Sequence, residues 1–445
     1  MKVFLSAWLE RLRTSYWFIP SLLSISAVIL SFVTVHVDTQ VKAKWVRATG
    51  WIWAGGPEGA RNVLATIAGS TITVAGVVFS ITIVSLTLAS SQFGPRLLRN
   101  FMADRATRFV LGVFVSTFLY CLLVLRTIRG TDAATFVPFL SVTCGLILAV
   151  ASVGFLIFFI HHVSTSILAE NLIARVATEL REGMDRLFPD SLGEDEDDAA
   201  DENEPPEVAA WMKEESHRMN APQSGFIQAL DAEQLFNLAS EEDLVVRLHH
   251  RPGNFVAEGS LLAEVWSKGK AGKKITTALA NAFCLGVQRT PTQDVEYSID
   301  QLAEVTVRAL SPGINDPFTA ITCIEWLGSA LVQAGKQKMP SRYQRDEGGK
   351  LRLITEATNF SGIASACFDQ IREYGCSSVA VTLRLLDVIE RVGGQVRAPA
   401  RSEILAEHAR KIREDGIRQA ENESDRSQIE TRFEATSKAL LLKDA

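Results

Sequence analysis

The stretch Asn62–Ser91 decides the fold of this chain. It reads NVLATIAGSTITVAGVVFSITIVSLTLASS, thirty residues without a charged side chain. As a helix it would be about 45 Å long, which exceeds the thickness of a bilayer's hydrocarbon core. Because only a helix satisfies its own backbone polar groups in lipid, the stretch predicts a membrane-spanning helix.

Hydroxyl residues of this helix recur every seven positions, so they lie along one stripe. The stripe and its flanks contain Thr66, Ser70, Thr73, Ser80, Thr87 and Ser91, with Gly69 and Gly76 beside them. Two interpretations are open. Small and hydroxyl residues let membrane helices pack closely, which is the commoner use of such a face. The same face could line a water-filled pore around the axis of an oligomer.

Three further apolar stretches, Trp17–Val37, Phe109–Leu125 and Phe136–Ile160, are predicted to cross the membrane. Four spans place both termini on the same side. Seven basic residues flank the spans on that side and six lie in the opposite loops, which is a weak bias. The large second half shows no secreted features, so we expect both termini in the cytosol and the spans in the inner, plasma membrane.

Two arginines follow the second span in the sequence SQFGPRLLRNF. Gly94 and Pro95 are expected to end the helix there. Arg96 and Arg99 then lie at the depth of the lipid headgroups. We expect their side chains to contact lipid phosphate, and a ring of cations at a pore mouth is the alternative.

Composition separates a membrane half from a soluble half. Hydrophobic residues are 47% of the 445 residues and concentrate before residue 170. The segment Asp190–Glu207 holds ten acidic residues and no basic one, and without it the net charge of −6 would be +4. The acidity therefore belongs to a linker, and no nucleic-acid partner is expected. Six cysteines without a CxxC pair indicate neither a disulfide framework nor a zinc site, so we expect no metal or cofactor.

These patterns predict a mainly α membrane protein with a cytoplasmic domain. Apolar residues keep helical spacing beyond the fourth span, so that span is expected to continue into the cytosol as one long helix. The predicted parts are a four-helix transmembrane domain (1–163), the helical extension (164–189), an acidic linker (190–220), a small β-barrel (221–274) and a helical cytoplasmic bundle (275–445).

The barrel is expected because PGNFVAEGSLLAEV, residues 252–265, resembles half of a biotinyl/lipoyl-type barrel. In such a barrel a glycine turn precedes an apolar strand. No lysine lies at a hairpin tip to carry a prosthetic group, so the expected barrel is structural. One short strand, Leu351–Ile354, is predicted within the helical part.

The sequence SPGINDP, residues 311–317, predicts a tight reversal between two helices. Asp316 is placed to cap the second helix, with Pro317 at its first position. Turn and cap chemistry therefore explains Ser311, Asn315 and Asp316. The alternative is a ligand or ion site at this turn, with Arg308 beside it.

Three phrases together identify a resemblance. They are TITVAGVVFSITIVSLTLASSQFGPRLLRNF, QDVEYSIDQLAEVTVRALSPGINDPFTA and RPGNFVAEGSLLAEV. The chain resembles a bacterial predicted membrane protein family known by a domain-of-unknown-function label, number 2254. The resemblance implies a membrane part joined to a cytoplasmic part. It supplies no catalytic or binding residues.

The residues favour an oligomeric ion channel for small hydrated ions, lined by the second span, with a cytoplasmic domain that assembles or gates it. Its partners would be the lipid bilayer, further copies of the chain and the ions. The alternative is a membrane-anchored sensor or scaffold whose cytoplasmic domain binds a ligand or protein. We expect no enzyme, because the sequence contains no metal motif, nucleophile elbow or phosphate loop.

Overall fold

A computed structural model of the chain contains two compact units, Met1–Asn171 and Leu172–Ala445. The residues it describes are 16–40, 55–94, 96, 104–131, 134–166, 168–188, 205–211, 215–267, 273–396 and 398–441. The predicted acidic run thus lies mostly outside the described residues.

The first unit is built from four helices that are long and apolar enough to cross a membrane. They are α1 (Phe18–Gln40), α2 (Pro57–Phe93), α3 (Arg105–Leu125) and α4 (Phe139–Ser166). A short antiparallel hairpin, β1 (Arg129–Thr131) and β2 (Ala134–Phe136), joins α3 to α4. Each predicted span overlaps one of these helices, so the four-helix layout follows from the apolar runs.

Helix α3 is the central helix of this unit, because it packs against α1, α2 and α4. Its buried residues Tyr120, Cys121 and Val124 belong to one core cluster with Leu64 and two alanines of α2. Further along, Phe114 of α3 packs with a second group of α2 residues and with α4. The interior of the bundle is therefore filled with side chains.

Polar groups inside this unit pair with one another. The Asp38 carboxylate of α1 accepts hydrogen bonds from the backbone N–H groups of Leu140 and Ser141, each at 2.9 Å. It thereby caps the first turn of α4, where backbone N–H groups have no partner within the helix. The Tyr120 hydroxyl donates to the Ser141 carbonyl oxygen at 3.0 Å and lies 3.0 Å from the Thr34 hydroxyl.

The expectation of one long helix through the fourth span is wrong. Helix α4 ends at Ser166, Leu168 is not helical, and a separate helix α5 (Ala169–Leu187) follows. The physical reason lies in local hydrogen bonds. The Asn171 side-chain amide donates to the Thr165 carbonyl oxygen at 2.7 Å. The Ser164 and Ser166 hydroxyls donate to carbonyls four residues back, a pattern that bends helices.

The second unit combines two small open sheets with helices. Its first part contains α6 (Pro206–Trp211), β3 (His217–Asn220), β4 (Gly225–Leu230), α7 (Ala232–Glu241), β5 (Val245–Leu248), β6 (Phe255–Val256), β7 (Leu261–Trp266), α8 (Lys273–Ala282) and β8 (Phe283–Gly286). Its second part contains α9 (Val295–Ala309), α10 (Pro317–Lys336), β9 (Tyr343–Arg345), β10 (Leu351–Ile354), α11 (Phe360–Gly375), α12 (Val379–Gly393), α13 (Pro399–Gln419) and α14 (Glu423–Leu441).

The predicted biotinyl/lipoyl-type barrel is wrong, because the described strands form open sheets. One sheet has the order β3-β7-β5-β10-β9 and the other the order β6-β4-β8. The strand β10 pairs parallel with β5, although about a hundred residues separate them. A barrel formed from residues 221–274 alone excludes such a partner. The predicted strand Leu351–Ile354 is confirmed, but it belongs to this sheet rather than to a purely helical part.

Helices α9 to α14 pack as a bundle, as the sequence predicted for most of this region. Side-chain caps define several helix starts. Asp294 accepts from the Tyr297 N–H, Asp316 from the Phe318 and Thr319 N–H groups, and Asn359 from the Gly362 N–H. These caps fix where each helix begins and so set the positions of the turns between them.

Candidate functional site

The hydroxyl stripe lies on the exposed side of α2. The side of α2 that packs against the bundle carries Leu64, Ala68, Ala75 and Val78, which are buried. At about 100° per residue, the stripe falls on the opposite side of the helix. All six predicted residues are exposed within one chain, namely Thr66, Ser70, Thr73, Ser80, Thr87 and Ser91. The stripe therefore does not pack inside its own bundle, and its role in a pore stays a prediction.

The threonine hydroxyls of the stripe donate to their own helix. Thr66 Oγ1 donates to the Asn62 carbonyl oxygen at 2.7 Å, and Thr73 Oγ1 to that of Gly69 at 2.8 Å. Thr87 makes the same contact over four residues at 2.9 Å. Each of these three hydroxyls thus donates within its own helix, and its oxygen can still accept a hydrogen bond from another group.

Two valines share the exposed side with the hydroxyls. Val77 and Val84 are 52% and 56% exposed and are seven residues apart, in register with the stripe. Hydroxyl and valine positions therefore alternate along the helix, as Thr73, Val77, Ser80, Val84 and Thr87. The sequence did not single out these valines, because valine is common in an apolar helix. Their position became informative once the structure showed which side of α2 packs against the bundle.

Small residues widen this face. Around Gly69 and Gly76 of α2, a Cβ atom would meet no other atom within 4 Å. Large apolar side chains are exposed on all three outer helices. Helix α1 exposes Ile29 and Phe32, α4 exposes Ile147 and Val150, and α2 exposes Ile72, Phe79 and Ile83 around the hydroxyl stripe. Large apolar side chains suit contact with acyl chains, whereas a face of glycine and hydroxyl groups suits close contact with another helix or with water.

The predicted arginines follow α2 at its end. Helix α2 ends at Phe93, and Gly94 adopts a positive φ of 108°, with its N–H donating to the Ser90 carbonyl oxygen at 3.2 Å. Arg96 is exposed. Arg99 lies outside the described residues, so the proposed ring of cations stays a prediction.

A polar cluster joins the start of α3 to the end of α4, and the sequence did not reveal it. Asp104 caps α3 and accepts from the Thr107 hydroxyl at 2.6 Å. The Nε2 atom of His162 lies 2.8 Å from the same carboxylate oxygen. Arg108 is 1% exposed and donates its Nε–H to the Asp104 carbonyl oxygen at 3.1 Å. The cluster ties two spans together where they leave the apolar region.

The turn at residues 311–317 has the predicted cap. Asp316 accepts from the backbone N–H groups of Phe318 and Thr319, each at 3.1 Å, and from the Thr319 hydroxyl at 2.6 Å. The hydrogen bond from the Thr319 side chain is the largest of the effects that lower the pKa of Asp316 below its usual value. Its carboxylate is therefore ionised and engaged in the turn.

The other residues of this turn also serve its geometry. The Ser311 hydroxyl donates to the Arg308 carbonyl oxygen at 2.7 Å, and Asn315 adopts a positive φ of 50°. Arg308 lies 3.4 Å from a Glu304 carboxylate oxygen. Turn chemistry thus explains Ser311, Asn315 and Asp316, whereas Arg308 pairs with Glu304 within α9. The ligand role of these residues stays a prediction.

Two of the phrases that carry the family resemblance lie in the second unit and contact each other. Arg251 of RPGN donates two hydrogen bonds to Glu296, at 2.7 and 2.8 Å. Gly253 has a positive φ of 95° and lies against Asp294, so that a Cβ there would overlap the carboxylate. The phrases are about forty residues apart, and their contact became visible only in the fold.

A second arginine supports the same junction. Arg289 donates to Asp294 at 2.7 and 3.0 Å and to Asp300 at 2.6 Å. Burial alone would lower the pKa of Arg289, but the hydrogen bonds and charges of the two carboxylates outweigh burial and raise it. This network holds the start of α9 in place and leaves no reactive group in an unusual charge state.

A serine, a histidine and a glutamate also meet on the five-stranded sheet. Glu264 of β7 accepts from the Ser216 hydroxyl at 3.0 Å and lies 3.0 Å from His249 Nε2. The serine thus bonds to the carboxylate rather than to the imidazole, whereas an activated nucleophile needs the imidazole as its base. Among the described residues, no group of three or more His, Cys, Asp or Glu is placed to hold a metal ion.

Comparisons with known proteins agree with the membrane layout. A family model described as predicted membrane protein (DUF2254) matches residues 13–391. Uncharacterized proteins of Mycobacterium bovis and Mycobacterium tuberculosis are each 30% identical over 432 residues, which cover 95% of this chain and 80% of the relative. No solved structure matches the chain significantly. The chain belongs to the DUF2254 family of predicted membrane proteins.

Proposed function

We propose that the protein is an oligomeric ion channel of the bacterial inner membrane, with its pore lined by α2 from several copies. The observation that carries this proposal is the exposed side of α2. Six hydroxyl residues line the side opposite the bundle, where a single chain in lipid would bury them against acyl chains. Contact with water or with another copy satisfies those oxygens better than hydrocarbon does.

The proposal uses several copies because buried side chains occupy the described interior of one bundle. Leu64, Phe114 and Tyr120 are at most 2% exposed and fill the interior between the helices. A polar path through one chain would have to displace this core. A path between copies needs only that the hydroxyl sides of α2 face a common axis.

The channel proposal also assigns a location and partners to the rest of the chain. In this proposal both termini and the Leu172–Ala445 unit lie in the cytosol, where that unit assembles or gates the pore. The protein carries out no enzymatic reaction. Its partners are the lipid bilayer, further copies of itself and small hydrated ions.

The test is current through the purified protein in planar bilayers. The wild type is expected to give unitary currents, and Thr73→Leu and Ser80→Leu are expected to lower them about tenfold, which corresponds to a barrier of about 1.4 kcal/mol. Each substitution replaces a hydroxyl that faces the proposed pore with an apolar group of larger size.

Ser26→Leu provides the matched control. Ser26 is an exposed serine of α1 whose hydroxyl also donates to its own helix, to the Leu22 carbonyl oxygen at 2.9 Å. In the proposal it faces lipid, so its substitution should leave the current unchanged. Absence of current in the wild type, or equal effects of Ser26→Leu and Thr73→Leu, would count against the pore.

A second candidate function is a membrane-anchored sensor. The observation that favours it is a cleft of about 400 Å³ in the cytoplasmic unit, lined by α5 and α10. The volume lies within the range of small-molecule sites. A ligand-binding cytoplasmic unit is compatible with a channel that responds to the ligand, and equally with a receptor that conducts nothing.

A further inference from the structure

The cleft between α5 and α10 carries an excess of positive charge that the protein itself does not use. Arg181 of α5 and Lys336 of α10 line it and are exposed. Neither has a hydrogen-bond or salt-bridge partner among the residues that the structure describes. A guanidinium and an ammonium group that line one cleft, with no carboxylate of the described residues bonded to either, suit an anion.

An aromatic surface lies in the same cleft. Trp326 of α10 lines it and is 39% exposed. Ten residues separate Trp326 from Lys336, so the indole and the ammonium group arise about 15 Å apart along α10. A ligand that spans them has a flat ring at one end and negative charge at the other.

The one carboxylate among the lining residues is already engaged. Asp185 Oδ1 accepts from the Gln333 side-chain amide at 2.5 Å and from that of Gln337 at 3.4 Å. Asp185 Oδ2 accepts no hydrogen bond from the described residues, so it is available to a hydroxyl group of a ligand. With two cations and one carboxylate, the lining keeps a net positive charge.

We propose that the cleft between α5 and α10 binds a nucleoside phosphate. The base stacks on Trp326, a ribose hydroxyl donates to Asp185, and the phosphate contacts Arg181 and Lys336. The inference does not depend on the pore, because the site lies wholly within the cytoplasmic unit.

The test is isothermal titration calorimetry on the full-length protein in detergent, with AMP, ATP, adenosine and inorganic phosphate as probes. AMP and ATP are expected to bind. Adenosine lacks the anion and inorganic phosphate lacks the ring, so each should bind at least about tenfold more weakly than AMP.

Variants of the lining residues test the assigned contacts. Arg181→Glu and Lys336→Glu are each expected to weaken AMP binding about tenfold or more, because a charge-assisted hydrogen bond becomes a repulsion. Trp326→Ala should weaken AMP binding, and Trp326→Phe should restore most of it. Arg175→Glu is the matched control, since Arg175 is an exposed arginine of α5 that does not line the cleft.

Three results would overturn the proposal. The first is no binding of AMP or ATP to the wild type. The second is equal AMP affinity for Arg181→Glu and Arg175→Glu with both variants folded, as judged by their thermal unfolding. The third is inorganic phosphate binding as tightly as AMP, which would leave an anion site without nucleotide recognition.

Discussion

A hydroxyl that donates to its own helix offers only its oxygen to the surroundings. Thr66, Thr73 and Thr87 each donate to a carbonyl four residues back in α2. Their lone pairs therefore point away from the helix backbone. Oxygen lone pairs can replace the hydration shell of a cation. An anion instead needs a hydrogen-bond donor, and these hydroxyl protons are already donated to carbonyl oxygens of α2.

The first prediction at this scale concerns ion selectivity. If α2 lines the pore, the current in a KCl gradient should reverse near the equilibrium potential of K⁺. Replacing chloride with a larger anion should leave the reversal potential unchanged. A reversal potential near the equilibrium potential of chloride would show that the hydroxyl oxygens of α2 do not set the ion selectivity.

The second prediction concerns the cap of α10. Asp316→Ala should lower the free energy of unfolding by about 1 kcal/mol, because two backbone N–H groups lose their acceptor. Asp316→Asn keeps an acceptor oxygen and should cost less. Denaturant titration of the full chain, followed by far-ultraviolet circular dichroism, measures both.

The same residue has a defined pH dependence. The folded-state pKa of Asp316 is lowered, so its contribution is complete above the unfolded-state pKa of about 3.9 and is lost as the pH falls through the folded-state pKa. The stability difference between the wild type and Asp316→Asn should therefore be constant from pH 7 to pH 5 and shrink below about pH 4. A difference that grows on acidification would contradict this assignment.

Residues whose role is local were predictable from the sequence. The cap at Asp316 follows from its own neighbours, Asn315 and Pro317, and it is confirmed. The pairing of Arg251 with Glu296 was not predictable, because it joins residues far apart in the chain. Nor was the exposure of Val77 and Val84, which depends on which side of α2 the bundle covers.

Among the secondary-structure elements, the apolar runs predicted the four apolar helices. The break between α4 and α5 was not predicted. The end of α4 at Ser166 depends on a side-chain hydrogen bond from Asn171 to the Thr165 carbonyl oxygen. Helical spacing of apolar residues continues through that point and hides the break. The barrel was predicted wrongly because β10, a parallel partner of β5, comes from a distant part of the chain.

The third prediction concerns α2 as a whole element. In the proposed pore, Val77 and Val84 form apolar rings between the hydroxyl rings, and apolar constrictions hold back water and ions. Val84→Ser should therefore increase the time that the channel is open or its conductance. Val150→Ser, an exposed valine of α4, is the control and should have no such effect.

The comparison of Val84→Ser with Val150→Ser tests whether the exposed side of α2 lines the conducting path. If Val84→Ser leaves the current unchanged while Val150→Ser alters it, the pore is lined by another helix. If both variants alter the current equally, the valines act through general helix packing rather than through the conducting path.

For the whole molecule, the family description as a predicted membrane protein agrees with the four apolar helices. The assembly of several copies is a proposal. The family model matches residues 13–391, which include all four apolar helices of the described structure. Buried side chains occupy the described interior of one bundle, so the proposed pore is formed between copies. In the proposed pore, the hydroxyl sides of α2 from different copies face one another across water.

Modification of cysteine variants by a water-soluble thiol reagent during bilayer recording tests whether α2 faces the water of such a pore. Thr73 lies in the hydroxyl stripe of α2, and Ser26 lies on the exposed side of α1. A pore lined by α2 predicts that the reagent blocks the current of Thr73→Cys and leaves the currents of Ser26→Cys and the wild type unchanged. A current through Thr73→Cys that the reagent leaves unchanged, together with block of Ser26→Cys, would contradict it.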